Sequence, residues 1–437
     1  MKSIYNHLVD WNNSDPDFIF LNHNKSYTIS DVLYEVDSIS KSLEYISDNF
    51  IGIHINSSID TIFLYLACIK TKKTPVLFHT SWSKKQLDYL INKYKIRHII
   101  SEWKNKKIFD QDVTMYYLEE LINSSRGCGI PIDSNSNLNP ECILFTSGST
   151  GFPKAVSLDL NNFYYSSIGW DQKIKFNSTD IYTLCLPISH ISGLSIIYRA
   201  IYNKFSIQIL DSYRDLISYQ GTIISLVPSV LNRLVWDPDY IEKLSIFRAI
   251  IIGGEPAGTS LLQKCLDMDL NIFVSYGMTE TCSGISGFWI KDYPNKLLSV
   301  GKAFDDVRVS IVDDYIVIDS KMNTMGYYMD KAIEGPVVTS DIGKIENDFI
   351  YLEGRDANIA ISGGENINID SLKDILLEHD SIKSVSLKVT KNKEWGELIE
   401  ADLILSSNKL NIDDIKNWCR SRIPQYSIPK IIRIVTK

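Results

Sequence analysis

The densest chemistry in the chain lies between Ile143 and Lys154, in the run Ile-Leu-Phe-Thr-Ser-Gly-Ser-Thr-Gly-Phe-Pro-Lys. An apolar stretch ends abruptly in hydroxyls and glycines, then closes with a proline and a lysine. Gly148 and Gly151 permit backbone angles that other residues resist, and they let main-chain N–H groups approach a ligand closely. Thr146, Ser147, Ser149 and Thr150 add donors, and Lys154 adds a positive charge. Such a concavity suits polyphosphate. The spacing G-x-x-x-x-G-K-[ST] is absent, so this is not a Walker A loop. A polar glycine loop taken alone reads equally well as a linker; the hydrophobic lead-in and the terminal Lys154 weigh against that reading.

Three further stretches repeat the pattern of an apolar strand emptying into polar residues. Tyr182 to Pro187 leads into Ser189-His190-Ile191-Ser192-Gly193, and Ala249 to Ile252 into Gly253-Gly254-Glu255-Pro256-Ala257. Ile272 to Ser275 leads into Tyr276-Gly277-Met278-Thr279-Glu280. Open α/β sheets bind ligands beyond the carboxyl ends of their strands. One cleft assembled from the four loops is the economical expectation. A histidine after a strand is by itself more often a satisfied structural group, and a lone Tyr276 reads also as core packing.

The elements that must position these loops follow from the rest of the chain. Its 437 residues are enough for two or three domains with large cores. A net charge of −8 argues against a general nucleic-acid or anionic-membrane binder. The cysteines at 68, 128, 142, 185, 265, 282 and 419 are odd in number and contain no C-x-x-C pair, which fits free thiols and offers no zinc site. The polar start lacks a signal-peptide core, and no apolar run reaches the roughly 18 residues of a membrane span. A soluble cytoplasmic protein is expected. Helices are expected over Ile29 to Tyr45 (with Thr28 and Ser30 as caps), Ser58 to Thr71 and Ser83 to Tyr94. Strands are expected at Phe50 to Ile55, Pro75 to Phe78, His98 to Ile100 and Ile223 to Pro228. The alternation implies βαβ units and a largely parallel sheet. From about residue 300 short strands take over, including Val307 to Val312 and Tyr315 to Ile318. Tyr351 to Asp356 reads as a junction to a small α/β unit with helices at Ser371 to Leu377 and Asp413 to Arg422 and a strand at Val385 to Val389.

In content and order these motifs resemble the acyl-adenylate-forming, AMP-binding superfamily of acyl-CoA synthetases, adenylation domains and luciferases. The likeness runs from about residue 140 to the C-terminus. The runs 186–195, 253–257 and 275–283 look most like its o-succinylbenzoate–CoA ligases of menaquinone and phylloquinone synthesis. The resemblance implies an α/β fold. A large N-terminal domain (1–354) of layered, mostly parallel sheets with a small barrel-like part would precede a small mobile α+β domain (355–437). It also implies an ATP-dependent acid–thiol ligase using Mg²⁺ and coenzyme A: a carboxylic acid and ATP give acyl-AMP and pyrophosphate, and the CoA thiol then displaces AMP.

The same resemblance assigns residues. The 146–154 loop would wrap the β- and γ-phosphates. Glu280 would hold Mg²⁺, with Thr150 as a second ligand, and Thr279 would meet the α-phosphate. Gly253, Gly254, Glu255, Pro256, Ser275, Tyr276 and Gly277 would form the adenine pocket. Asp341, preceded by Ser340 where the family has glycine, would accept the ribose hydroxyls. Arg355 would reach ribose or phosphate, and Asp356 would be the hinge. His190 would gate the space between substrate and nucleotide. Ser192, Gly193, Arg199, Ser229, Ser283 and Gly284 would line the acyl pocket. Arg199 would face a second carboxylate or lie on a helix surface. Gly363 and Gly364 would frame the pantetheine tunnel. The family's C-terminal Gly-Lys pair, whose lysine serves adenylation, lies beyond Lys437, and neither Lys430 nor Lys437 takes that role. A truncated chain, or an impaired adenylation half beside a surviving thioester half, is the expectation. A homodimer is one expected assembly. Rival expectations are another acyl-CoA synthetase, a carrier-loading adenylation enzyme, and a non-catalytic acyl- or nucleotide-binding protein.

Overall fold

A computed structural model describes residues 1–102, 113–123, 140–146, 153–330, 332–355, 359–379, 381–392, 395–405 and 410–435. Three sheets organise them. The first has six strands in the order 114–117, 98–101, 50–54, 74–77, 142–146, 154–158. Its first five strands run parallel, and 154–158 returns antiparallel to 142–146 with Thr146 opposite Lys154.

The second sheet is a ladder of thirteen strands. Its middle is parallel and runs through 272–278, 249–252, 223–226, 181–184, 206–209 and 19–22. Strands buried on both faces read as continuous apolar runs, and Ala249–Ile252 is such a run, buried throughout. Beyond 272–278 the pairing turns antiparallel through 283–289, 302–303, 349–355, 337–346, 315–320 and 307–312. Helices cover these sheets. Ile59–Lys70 and Ile191–Asn203 are buried almost all round, as expected of central helices.

Helix starts follow local chemistry. Thr28 caps Ile29–Leu43 in a reciprocal pair with Asp31, and Ser83 does the same for Lys84–Tyr94 with Gln86. Ser30 lies within the helix rather than capping it. The strand expected to reach Pro187 ends at Leu184; proline has no N–H to give a ladder.

The third sheet holds five strands from the C-terminal part: 365–368, 359–362, 396–405, 382–392 and 431–434. Helices Ile369–Leu377 and Ile412–Arg420 accompany it. Its core is its own, built from residues such as Ala360, Leu372, Leu376, Ile399, Leu403, Ile415 and Ile432. Among the described residues no helix is long and apolar enough to cross a membrane.

Candidate active site

The strand Cys142–Thr146 of the first sheet and the strand Ile272–Met278 of the second end at one place. After Met278 the chain makes a 3₁₀ turn, Thr279–Thr281, that presents Glu280. Thr146 Oγ1 donates to Glu280 Oε1 at 3.3 Å, and the Tyr327 hydroxyl donates to the same oxygen at 3.0 Å. The Glu280 backbone is pinned as well, its carbonyl accepting the Thr324 N–H at 2.7 Å. Lys154 Nζ stands 5.2 Å from the Tyr327 ring centre. Burial, reinforced by Glu280, pushes the Tyr327 hydroxyl pKa up, so it stays a donor. The result is a carboxylate with hydroxyls beside it and a lysine nearby. Hard oxygen donors of this kind fit Mg²⁺, which takes one or two carboxylates and completes its shell with phosphate and water.

Farther along the ladder, Tyr276 donates its hydroxyl to Asp341 Oδ2 at 2.7 Å. Both residues are buried, and the Asp341 N–H is held by Thr339 Oγ1 at 3.0 Å. Gly253 ends the neighbouring strand. A Cβ there would stand 2.8 Å from Ser275 Oγ and 2.9 Å from the Ser275 carbonyl, so only glycine lets the loop lie flat against strand 272–278. Glu255, also buried, is engaged by Ser229. Its Oε2 accepts the Ser229 N–H at 2.9 Å and its Oε1 the Ser229 hydroxyl at 3.0 Å. Burial raises the Glu255 pKa, and the two Ser229 donors offset part of that. Ser229 therefore serves Glu255 with both of its donors.

The loop between strands 359–362 and 365–368 comes over this edge. Gly363 and Gly364 have φ of +61° and +83°, a region that suits glycine. A Cβ on Gly364 would meet Val227 Cγ1 at 3.2 Å and Glu255 Oε1 at 3.7 Å. The next residue, Glu365, puts its Oε1 3.3 Å from His190 Nε2 and 3.7 Å from His79 Nε2. The two imidazoles meet edge to face with centroids 4.7 Å apart. They border a cavity of about 60 Å³ with Trp82, Phe145 and Tyr426. Burial opposes the imidazolium of His190, but Glu365 outweighs it and the pKa is raised. His79 is pushed down to about 4 by burial and by the charge of His190. Glu365, disfavoured as an anion by burial, is held below the usual carboxylate range by the two histidines. Elsewhere along the same seam, Ser83 Oγ donates to the Arg422 carbonyl at 2.9 Å and Lys85 pairs with Glu378 at 3.0 Å.

Arg199 is a correction to one expectation. It does not lie on a helix surface: only 2% of it is exposed. Its Nη2 donates to Ser283 Oγ at 2.8 Å, its guanidinium stacks 4.3 Å from the Trp170 ring, and its Nε has no hydrogen-bond partner among the described residues. Burial lowers its pKa. Trp170 also packs on Gly284, where a Cβ would come within 2.6 Å of the ring. Ser192 is exposed at the start of helix 191–203, and Gly193 lies under the Pro187 carbonyl.

The structure thus brings Thr146, Lys154, Thr279 and Glu280 into one group, and Gly253, Gly254, Ser275, Tyr276, Gly277 and Asp341 into the next along the same ladder. Pro256 follows Glu255 in the loop. Ser147, Gly148, Ser149, Thr150, Gly151 and Asp356 lie outside the described residues, as does the side chain of Arg355. Reading the sequence missed His79, Tyr327 and Val227. His79 had a signal, since it follows the apolar run Pro75 to Phe78 as the other site loops follow theirs. Tyr327 had none, because its contact with Glu280 spans 47 residues.

Comparisons with known proteins give the chain a family. The family model "AMP-binding enzyme" matches residues 8–328. The 2-succinylbenzoate–CoA ligase of Bacillus pumilus is 26% identical over 441 residues, covering 94% of this chain and 90% of that protein. Among solved structures, a double mutant of o-succinylbenzoate CoA synthetase from Bacillus subtilis, bound with its product analogue OSB-NCoA, superposes with a TM-score of 0.90 at 22% identity. That match covers 100% of this chain and 95% of the other. The same enzyme in complex with the acyl-adenylate intermediate OSB-AMP gives 0.75, at the same identity and coverage. With the family model spanning most of its length, the chain belongs to the AMP-binding enzyme family.

Proposed function

We propose that the chain is an ATP- and CoA-dependent acid–thiol ligase acting on o-succinylbenzoate. The observation that carries this reading is the meeting of Glu280 and Thr146 from two sheets, with the Tyr276–Asp341 pair on the same ladder. Those residues suit the two ends of one nucleotide. The likeness to 2-succinylbenzoate–CoA ligase over 94% of the chain supports the choice of acid.

In the first half-reaction a carboxylate oxygen bonds to the α-phosphorus and the bond to pyrophosphate breaks. Negative charge builds on the phosphate oxygens, where fixed donors and cations lower the barrier most. Thr146, Lys154 and the 147–151 loop serve the departing phosphates and Thr279 the α-phosphate. Asp341 takes the ribose hydroxyls while Tyr276 fixes its orientation, and the Gly253–Pro256 backbone faces the adenine. Arg355 reaches the ribose or phosphate. Glu280 would hold Mg²⁺, which neutralises the phosphate charge. Arg199, a buried cation on Ser283, is suited to the second carboxylate of a diacid. In the second half-reaction the CoA sulfur bonds to the acyl carbon as the bond to the AMP oxygen breaks and the thiol proton leaves.

Residues 1–354 form the large body and 355–437 a lid that rotates about Asp356. The seating of Gly364 on Val227 and Glu255 fits the thioester-forming position, and so does the higher TM-score to the product-analogue complex than to the acyl-adenylate complex. A cytoplasmic location and a homodimer belong to the same proposal; light scattering tests the dimer. The central test is pyrophosphate release from ATP, Mg²⁺ and o-succinylbenzoate, with and without CoA. Turnover that requires CoA and prefers this acid is expected. Release from no acid, together with no thioester from a supplied acyl-adenylate, overturns the reading.

A further inference from the structure

We infer that His79 is a positioning residue for the thioester-forming step, holding Glu365 of the lid and the ring of His190 in one fixed arrangement. This rests on the ligase reading above and adds to it a residue outside every motif described. His79 follows the strand Thr74–Leu77 and reaches the seam between body and lid. Its Nδ1 is occupied. The Ser81 backbone N–H, which can only donate, points to it at 3.1 Å, and Ser81 Oγ lies at 2.6 Å. In the neutral ring the proton must then sit on Nε2. That nitrogen faces Glu365 Oε1 at 3.7 Å, so the ring presents an N–H dipole to the carboxylate.

The same tautomer decides against a rival reading. His79, His190 and Glu365 place three ligand-type atoms within 4.8 Å of one another. A metal-bound histidine normally donates its other N–H to an acceptor. Here the other nitrogen faces a fixed donor, so the nitrogen that would bind a metal carries the proton. The cluster is an ion pair, His190 with Glu365, beside the N–H dipole of a neutral His79.

His79 acts on His190 as well. The edge-to-face contact at 4.7 Å fixes the plane of the His190 ring, whose Nε2 then meets Glu365 at 3.3 Å. The other titratable groups facing His79 are Tyr426, its ring 6.4 Å away, and the buried His54, whose own pKa His79 helps lower. Loss of His79 leaves Glu365 with His190 as its ion-pair partner among the described residues, and leaves His190 free to turn, both at the place where the lid must seat.

The test uses the full chain and splits the half-reactions. Thioester formation is measured from synthetic o-succinylbenzoyl-AMP and CoA, and affinity for that adenylate is measured separately by calorimetry. His79→Ala should lower kcat/KM for CoA by about tenfold, through lost placement of Glu365 and the His190 ring, with adenylate affinity unchanged. His79→Gln, which keeps an N–H donor, should recover most of the loss. An unaffected His79→Ala, an equal loss in rate and adenylate affinity, or a His79→Gln no better than alanine overturns the role of His79. Inertness of the unaltered chain would instead overturn the ligase reading itself.

Discussion

Two carboxylates at the site are held in opposite ways. Asp341, inside the large body, takes a 2.7 Å hydrogen bond from Tyr276, and both residues belong to one continuous ladder. Glu365, on the C-terminal sheet, meets its histidines at 3.3 and 3.7 Å across a seam. Short bonds within a sheet preorganise a surface that must be ready before the nucleotide arrives. Longer charge-assisted contacts across a seam can be made and released without breaking a core. Under the proposed cycle, the difference separates what the protein fixes at folding from what it would make anew at each turnover.

The comparison can be broken most sharply at Glu280, which belongs with the fixed half. Glu280→Gln keeps the shape and removes the charge, and should lower pyrophosphate release by about 10²–10³-fold. Thioester formation from supplied acyl-adenylate should stay within about threefold of normal, since only the first half-reaction builds charge on a polyphosphate. Equal losses in both assays would mean that the two regions do not divide the work.

Glu365→Gln should give the mirror image: a loss of about tenfold in thioester formation with pyrophosphate release intact. It should also change the pH profile. The raised His190 pKa means that its imidazolium contribution is full below the ordinary histidine value and fades as pH rises through the raised one. The lowered Glu365 pKa means that its contribution is full above the ordinary carboxylate value and fades as pH falls through the lowered one. Thioester formation should therefore hold between those limits and decline on the alkaline side, and Glu365→Gln should flatten that decline. A profile unchanged by the substitution would remove the ion pair from the mechanism. The smallest effect is expected at Tyr276→Phe, which takes one donor from Asp341. KM for ATP should rise about threefold to tenfold with kcat little changed; a fall in kcat alone would place Tyr276 elsewhere in the cycle.

Much of the fixed half is legible in the amino-acid sequence. The loops at 253–257 and 275–280 follow apolar strands, and a buried strand that ends in glycine and hydroxyls has few other uses in an open α/β sheet. The seam is less legible. His190 and Glu365 lie in separate motifs, and nothing in sequence pairs them with each other or with His79, because the pairing joins residues that follow or belong to strands of three different sheets. Arg199 is legible only in part, for a local reason. Ser192, Ser195 and Arg199 recur at i, i+3 and i+7 and so form a polar line that reads as a surface face; only the fold shows that Ser195 and Arg199 are buried under neighbouring elements.

The separate core of the C-terminal sheet has a consequence for hydrogen exchange. Amides of strands such as 249–252, locked in the middle of the thirteen-stranded ladder, should exchange only when the whole body opens. Those of 399–403 are protected by a different set of apolar contacts, centred on Ala401, Leu403 and Ile415. They should open as a unit at lower denaturant, so the chain would report its two halves as two exchange isotherms.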